Sequence, residues 1–591
     1  MITLNFIEKI KIKISGLSNA TGRFPLTTLF LVSAAVTNII DINSTERYRV
    51  YLISMIVGAF LSAAGQIVHE RFFKDKNNYR YILMALSVLL SFGYYLIVKD
   101  SPDFSIELSV RTGVALFAVL IAFIWIPSVK REVTFNESFM ISFKGFFISV
   151  FFSGIIFLGI ALIIGAIDQL LFSVNSKIYS YNATIVFFIF APLFFLSMIP
   201  VYPEKPNEET EKYSNIPRLL EILISYIIIP ISAIFTVILI IYIVLNIRGE
   251  FWTNNLLEPM LVSYSIAIIL IYILSSMLEN KFALLFRKYA PKVLVPIVLF
   301  QVVASVLKVQ EMGITYGRYY AVLYGIYAAI AGGILSFLPV KRNGLIAALL
   351  IIFSVISIVP PVDAFSVSKS SQLNTLENTL IANEMLENGK IIPKPDLNNE
   401  EKKKIINSMN YLYRMEYLDK VSFLPDDFEF YNDFFATFGF REYEGPDALR
   451  ETVFVNLAPG QALNIEGYDY MGNIHAAKPQ DEYQEKFQGN QIIINHQEKE
   501  YKIITALENE DILLNLLDEN NDVIISFPVR EIVDKYYNKV TVNNQISLEE
   551  ATFSIENDTV KLGIIVQDFF IDKYTGNTNY WGNLVVLTDF K

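Results

Sequence analysis

The chain has 591 residues, of which 53% are hydrophobic, 14% aromatic and only 18% charged. This composition is too apolar for an ordinary soluble protein, and the absence of cysteine excludes disulfides, thiolate metal sites and cysteine nucleophiles. The charge is unevenly distributed, because residues 364–591 hold 38 Asp and Glu against 20 Lys and Arg, whereas residues 1–363 hold 21 acidic and 28 basic residues. An acidic second half repels phosphate backbones, so nucleic-acid binding is disfavoured.

Residues 1–23 form a basic N-terminal segment that lacks the cleavage pattern of a removable signal peptide. Apolar and basic residues alternate between positions 4 and 17. This alternation fits either a segment lying on the lipid headgroups or a solvated tail.

Residues 24–363 are predicted to be a multi-pass transmembrane domain. A span needs about 20 mostly apolar residues, because every backbone amide must find its partner inside the helix. About eleven transmembrane helices are predicted, at residues 24–41, 50–68, 81–98, 111–128, 140–168, 182–202, 218–246, 256–277, 293–308, 319–338 and 344–362. Two are weak, since the fourth is short and starts at Arg111, and the ninth is barely long enough and contains Pro296 and Gln301.

The basic residues in short loops predict the orientation, because such loops stay in the cytoplasm. With a cytoplasmic N-terminus, 19 Lys and Arg fall in cytoplasmic loops and 8 in the opposite loops. Eleven crossings then place the acidic C-terminal domain outside the cytoplasm. Loss of either weak span would place the C-terminal domain in the cytoplasm instead. The exact number of spans, between ten and twelve, therefore determines the side on which this domain lies.

Four ionisable residues lie inside predicted spans, where a charge at the bilayer centre costs about 2.5–3.5 kcal/mol. They are Lys144, Asp168, Glu221 and Glu258. All four lie near span ends, where a side chain reaches the headgroups at lower cost. Glu221 is the strongest candidate for a functional role, because Pro230 in the same span would free backbone carbonyls, as in the broken helices of transporters. A packing kink is the simpler explanation of this proline.

The most specific pattern is a short run at the start of the tenth span. Its residues are Gly313, Ile314, Thr315, Arg318, Tyr319 and Tyr320. Aromatic residues beside a cation are a usual interfacial anchor. The run also resembles a signature of bacterial multi-pass membrane proteins of the domain-of-unknown-function family 4153.

The resemblance covers roughly residues 20–425, including the span around Pro230, the loop with Trp252 and the segment 360–368 after the last span. Trp252 is followed by Thr-Asn-Asn instead of the Pro-x-Gly turn typical of the family, so a role of that turn is not carried over. The resemblance implies a membrane location and a fold, but no reaction, ligand or partner.

Residues 364–591 are predicted to form a soluble α+β or mainly-β domain, helical over 370–420 and β-rich over 450–591. His475 and His496 lack a metal-binding spacing, and no catalytic motif or cofactor signature is present. Acidic clusters at 426–429 and 518–522 fit solvated turns better than calcium loops. The run from Gly467 to Tyr470 offers aromatic faces and a carboxylate, which fits a carbohydrate or peptide groove or the end of a strand.

These patterns favour a non-enzymatic protein of the bacterial inner membrane, whose outer domain senses, binds or scaffolds. The lipid bilayer is the one predicted partner, and the sequence does not identify an envelope ligand. A transporter that uses the intramembrane charges is the alternative. A transferase acting on lipid-linked substrates has only Asp363 and Glu311 in its favour.

Overall fold

The structure is a computed structural model that describes residues 16–44, 48–99, 105–130, 132–202, 214–246, 257–425, 427–441, 450–478, 490–508, 511–537, 545–574 and 577–591. The alternating segment at 4–17 lies almost wholly outside the described residues, as do Trp252 and the side chains of Glu258 and Glu311. The chain forms two compact units, the first of residues 1–395 and 404–439 and the second of residues 396–403 and 440–591.

Apolar helices make up most of the first unit. In chain order they are α1 (Pro25–Asn43), α2 (Arg49–Phe72), α3 (Asn77–Val98), α4 (Ile106–Trp125), α5 (Phe135–Leu170), α6 (Lys177–Thr184), α7 (Ala191–Ser197), α8 (Arg218–Ile222), α9 (Ile229–Asn246), α10 (Leu257–Ser275), α11 (Lys281–Met312), α12 (Tyr316–Phe337) and α13 (Gly344–Ile356). One π-helical turn, Ile185–Phe190, joins α6 to α7, and another, Leu223–Ile228, joins α8 to α9. Beyond them follow α14 (Ala364–Ala382), α15 (Asn399–Arg414) and α16 (Phe430–Phe438), with a small hairpin of β1 (Leu386–Glu387) and β2 (Lys390–Ile391).

Nine helical segments in the described part of the chain are long and apolar enough to cross a membrane: Pro25–Asn43, Arg49–Phe72, Asn77–Val98, Ile106–Ser128, Phe135–Leu170, Lys177–Ser197, Arg218–Leu245, Lys281–Val309 and Tyr316–Phe337. Both weak predicted spans fall within this set. The other two predicted spans correspond to the shorter apolar helix Pro259–Ser275 and to α13, whose 13 residues extend only about 20 Å at 1.5 Å per residue. The predicted polytopic helical region is confirmed.

Helices α11 and α12 form a closely packed hairpin. A Cβ atom added at Gly325 would lie 2.6 Å from Val302 Cγ2, and one added at Gly332 would lie 2.8 Å from Val295 Cγ2. Small residues allow this approach of two backbones in lipid, where packing must replace the hydrophobic effect. The hairpin thereby fixes the turn between its helices, at residues 313–315.

The second unit contains two antiparallel sheets. Its strands are β3 (Arg450–Leu457), β4 (Tyr470–Ala477), β5 (Gln491–His496), β6 (Lys499–Glu508), β7 (Asp511–Leu517), β8 (Val523–Pro528), β9 (Gln545–Ile546), β10 (Thr552–Glu556), β11 (Val560–Tyr574) and β12 (Asn577–Phe590), with short helices α17 (Arg530–Tyr537) and α18 (Leu548–Ala551). One sheet has the order β4-β12-β11-β3-β9, with β10 also paired to β11 and with β3–β9 its only parallel pair among the described strands; the other is the meander β5-β6-β7-β8. The predicted β-rich C-terminal domain is confirmed.

A shared core joins these sheets. Fully buried side chains from both sheets meet there, including Leu514, Phe527, Phe569 and Tyr580. The Tyr580 hydroxyl accepts a hydrogen bond from the Ile512 amide at 2.9 Å, which links β12 to β7. Alternate residues of β4 and β5 point away from this core, so they are available at the surface.

Candidate functional site

The predicted motif forms the turn between α11 and α12. Gly313 ends α11 with φ of +72°, a conformation that residues with a Cβ rarely adopt. A Cβ at this position would also lie 2.7 Å from Thr375 Oγ1 and 2.9 Å from Gln372 Nε2. Both side chains belong to α14, so glycine allows this helix to pack directly against the turn.

Polar side chains of α14 bind the backbone of the turn. Gln372, only 1% exposed, donates from Nε2 to the carbonyls of Met312 at 3.2 Å and Ile314 at 3.0 Å. The Ser371 hydroxyl accepts a hydrogen bond from the Ile314 amide at 2.9 Å. These contacts pair backbone groups that would otherwise be left without partners at the end of a helix. We call the turn and first helical residues at 312–320, together with α14 and Tyr411, the seam.

Two further motif residues start α12. The Thr315 hydroxyl caps the helix by accepting from the Arg318 amide at 3.4 Å. The Arg318 guanidinium donates back to the Gly313 carbonyl at 3.2 Å. Arg318 therefore stabilises the turn that precedes its own helix.

Aromatic residues extend the seam to α15. The Tyr316 amide donates to the Tyr411 hydroxyl at 3.2 Å, and that hydroxyl donates to Ser368 Oγ at 2.7 Å. The Tyr316 ring stacks on Phe365, with 5.5 Å between ring centroids. Helices α12, α14 and α15 are thus connected through one tyrosine pair.

The last two motif residues bind the end of α13. Tyr319 donates from its hydroxyl to the Val362 carbonyl at 2.5 Å, and Tyr320 donates to the Ser357 carbonyl at 3.4 Å. The structure therefore brings together all six motif residues, Gly313, Ile314, Thr315, Arg318, Tyr319 and Tyr320, in one connection between membrane helices and the helices that follow.

A charged cluster adjoins the seam. Arg111 on α4 pairs with Asp363 at 2.6 Å and with Glu107, one helical turn earlier, at 2.8 Å. It also donates to the Ile358 carbonyl, while Tyr417 donates to Glu107. The Asp363 side chain is fully buried, so its charge depends on these partners.

The environment keeps Asp363 ionised. Burial alone raises the pKa of this carboxyl, but hydrogen bonds from Ser366 and Phe365 and the charge of Arg111 outweigh burial, so its pKa lies below the ordinary value. Burial, followed by the Glu107 carboxylate, raises the pKa of Tyr417, which remains a neutral donor. Near neutral pH the Asp363 carboxylate therefore stays charged and the Tyr417 hydroxyl stays neutral.

Two of the predicted intramembrane charges, Lys144 and Glu221, have hydrogen-bond partners in the described part of the chain. Lys144 donates to the Asn215 carbonyl at 2.7 Å. Glu221 accepts from Asn280 at 3.3 Å, and Asn280 also donates to Ser225 at 2.7 Å. These contacts tie α5 and α8 to neighbouring segments.

The predicted helix defect near Pro230 is present, but it precedes the proline. Residues 223–228 form a π-helical turn, and Pro230 is the second residue of α9. Asp168 accepts from the Val174 amide at 2.6 Å and closes the end of α5.

Basic residues collect at the opposite end of the first unit from the seam. Arg23 pairs with Glu70 at 2.7 Å, and Arg80 donates to the Arg23 carbonyl at 2.9 Å. Next to Glu70, Arg71 donates to the Val129 carbonyl at 2.8 Å. Helix α4 starts in the charged cluster and ends just before Val129, so it connects the two ends of the unit.

The loop before α13 belongs to this basic end. Asn136, close to Val129 in the chain, donates to the Val340 carbonyl at 3.1 Å and accepts from Asn343 at 3.0 Å. Lys341 and Arg342 lie between these contacts. Helix α13 then runs from the basic end to the seam.

The second unit contains a polar and aromatic pocket of about 350 Å³. One wall consists of three packed rings. The centroid of the Phe590 ring lies 4.5 Å from that of His496, on which it stacks, and 4.6 Å from that of the tilted Tyr501 ring. These three rings are each half-buried. Tyr470, singled out in the sequence, supports this wall from the side and donates to the Asn495 carbonyl at 2.9 Å.

Charges of both signs surround the pocket. Lys499 pairs with Glu519 at 3.8 Å, and Lys591 pairs with Glu556 at 3.4 Å. Asp518 also lines the pocket, and its carboxylate accepts from two amides of the turn between β7 and β8. The acidic cluster at 518–522 is therefore a turn at the rim of the pocket.

The charged cluster and the aromatic wall were not predictable from local sequence patterns alone. The fourth predicted span starts at Arg111, whereas α4 begins five residues earlier, at Ile106. The spacing of four residues between Glu107 and Arg111 is visible in the sequence and indicates an ion pair on one helix face. The pairing of Arg111 with Asp363 spans 252 positions and left no local pattern.

Comparison with known families identifies the class of protein. Residues 27–388 match the family model described as Domain of unknown function (DUF4153). The match covers more than half of the chain, so the protein belongs to this family, as the motif at 313–320 indicated. No curated protein and no solved structure matches the chain.

Proposed function

We propose that this membrane protein is a non-enzymatic component of the bacterial cell envelope, whose C-terminal unit binds a neutral saccharide outside the cytoplasm. The observation that carries the proposal is the pocket at His496, Tyr501 and Phe590, which combines an aromatic wall with a rim of mixed charge.

The chemistry of the pocket favours a polyhydroxylated ligand. Aromatic rings offer broad apolar faces, and a few polar groups at their edge orient a ligand. The rim offers ammonium donors at Lys499 and Lys591 and carboxylate acceptors at Asp518 and Glu519. A saccharide ring has an apolar face and hydroxyls that both donate and accept, whereas a strongly charged ligand would meet repulsion from one half of the rim.

The charge distribution of the first unit supports an extracytoplasmic position of the seam. Its basic end, with Arg23, Arg71, Arg80 and Lys341, has the composition of cytoplasmic loops. Helix α14 begins at the other end, beside the charged cluster. After residue 363, the described residues contain no helix long and apolar enough to span a membrane. The C-terminal unit then follows outside the cytoplasm.

The transporter alternative needs intramembrane charges that face a shared polar cavity. Lys144 and Glu221 instead each have a hydrogen-bond partner within the protein, the Asn215 carbonyl and the Asn280 side chain. These partners give no support to a path for a polar substrate.

The proposal is tested by calorimetric titration of the full-length protein in nanodiscs with an N-acetylglucosamine tetramer as the probe. We expect saturable binding that Phe590→Ala weakens at least tenfold, because the central ring of the wall is lost. Lys499→Glu, which changes an exposed rim residue, should weaken binding without affecting folding. The matched control is Trp581→Ala, which removes an exposed ring stacked on Phe570 and does not line the pocket.

Two results would overturn the proposal. One is wild-type binding of the tetramer that Phe590→Ala, Lys499→Glu and Trp581→Ala all leave unchanged. The other is no measurable binding by wild-type protein whose unfolding transition shows that it is intact.

A further inference from the structure

The membrane helices line a half-open apolar cavity of about 490 Å³. Its walls come from α4, α5, α10, α12 and α13, all in the first unit. The volume lies in the range of ordinary ligand sites, about 300–1,000 Å³. Its position among membrane helices means that the medium available to fill it is lipid.

The cavity is elongated along the helices. On α12 it extends from Tyr320 to Tyr327, about 10 Å at 1.5 Å per residue, and on α13 it extends from Ile346 to Ser357, about 16 Å. The hydrocarbon core of a bilayer is about 30 Å thick, so this length corresponds to roughly one half of it.

The lining is polar at one end and almost entirely apolar elsewhere. Tyr320 and Ser357 mark the polar end, where the Tyr320 hydroxyl donates to the Ser357 carbonyl. The next carbonyl, that of Ile358, accepts from Arg111 in the charged cluster. The opposite part is lined by side chains such as Phe139 and Ile346. This gradient matches an amphipathic molecule whose polar part lies toward the seam.

We propose that this cavity binds the hydrocarbon chain of a membrane lipid, with the polar part of the lipid toward Tyr320 and the charged cluster. This site is independent of the saccharide pocket. Acyl chains and polyprenyl chains share the required chemistry, and the experiment below separates these two sources.

Photo-crosslinking in nanodiscs tests the proposal with the full-length protein. One set of nanodiscs contains phosphatidylethanolamine with a diazirine in an acyl chain, and another contains a polyprenyl phosphate with a diazirine in its chain. We expect crosslinks at cavity residues such as Leu350 and Phe139 in one set, which identifies the source of the chain. Crosslinks at these positions in both sets would show a site for hydrocarbon chains in general.

Substitution of a wall residue provides the specific control. Ala347→Phe places a large ring in the cavity from a position only 3% exposed, so crosslinking should fall at least tenfold. Ala85→Phe adds the same ring to an exposed position of α3 and should leave crosslinking at the cavity unchanged. If Ala347→Phe does not fold, Val114→Phe fills the cavity from α4 and should give the same loss.

The opposite pattern would overturn the proposal. It consists of crosslinks spread over outward-facing residues such as Leu89 and Leu162, with no excess at the cavity and no response to the filling variant.

Discussion

The seam and the aromatic pocket at His496, Tyr501 and Phe590 use similar residues in opposite ways. In the seam, Gln372 Nε2 and the hydroxyls of Ser371 and Tyr411 form hydrogen bonds with neighbouring backbone and side-chain groups. In the pocket, Phe590 and Tyr501 present half-buried rings to an open volume of about 350 Å³. Internal hydrogen bonds fix a structure, whereas open aromatic faces leave surface for a ligand. Changes in the seam should therefore lower stability, and changes in the pocket should lower binding.

Gly313→Ala should have the largest effect. The positive φ and the close Thr375 and Gln372 side chains penalise any Cβ, so we expect a loss of about 2–4 kcal/mol in the free energy of unfolding. Thermal unfolding in detergent measures this loss. Gly317→Ala, in the first turn of α12 with open space around its Cβ, is the control and should be neutral or slightly stabilising. Equal effects of the two substitutions would contradict the role assigned to the turn.

Asp363→Asn should have the next largest effect. It removes the buried partner of Arg111 while keeping the shape of the side chain, so we expect a loss of about 1–3 kcal/mol. Asp419→Asn removes an exposed partner of Lys420 and should cost no more than about 1 kcal/mol. If Asp363→Asn lowers the free energy of unfolding no more than Asp419→Asn does, the charged cluster does not stabilise the seam.

The pH dependence of stability tests the charge of Asp363 separately. Because the pKa of Asp363 is lower in the folded protein, its stabilisation is complete above the ordinary pKa of about 3.9 and is lost as pH falls through the folded value. The stability difference between wild type and Asp363→Asn should therefore be constant from pH 7 to about 5 and shrink below pH 4. Unfolding temperatures of both proteins across this range measure it, and a difference that persists unchanged at pH 3 would argue against an ionised Asp363.

Tyr470→Phe should have the smallest effect. It removes the hydrogen bonds of the hydroxyl with the Asn495 carbonyl and His496 Nδ1 and leaves the ring in place. We therefore expect a loss of about 0.5–1.5 kcal/mol in the free energy of unfolding and little change in saccharide binding. A tenfold loss of binding would place this hydroxyl in the ligand site and extend the pocket beyond its present wall.

The membrane helices were predictable because hydropathy over 20 residues is a local property. Even the weak ninth span lies within one helix, α11, which tolerates Pro296 inside it. The seam was only partly predictable. The sequence showed the motif, but its partners Gln372 and Tyr411 lie about 60 and 95 positions away. Likewise, His496 and Phe590 come together only because β5 and β12 belong to different sheets that share one core.

The side of the membrane that holds residue 591 tests the central claim most directly. Alkaline phosphatase and a fluorescent protein, each fused after residue 591 in a bacterial host, report the two sides, and the same fusions after Arg342 at the basic end serve as the internal reference. We predict phosphatase activity without fluorescence at residue 591, and fluorescence without phosphatase activity at Arg342. Fluorescence alone at residue 591 would contradict this account, because it would mean that an even number of helices cross and that the pocket faces the cytoplasm.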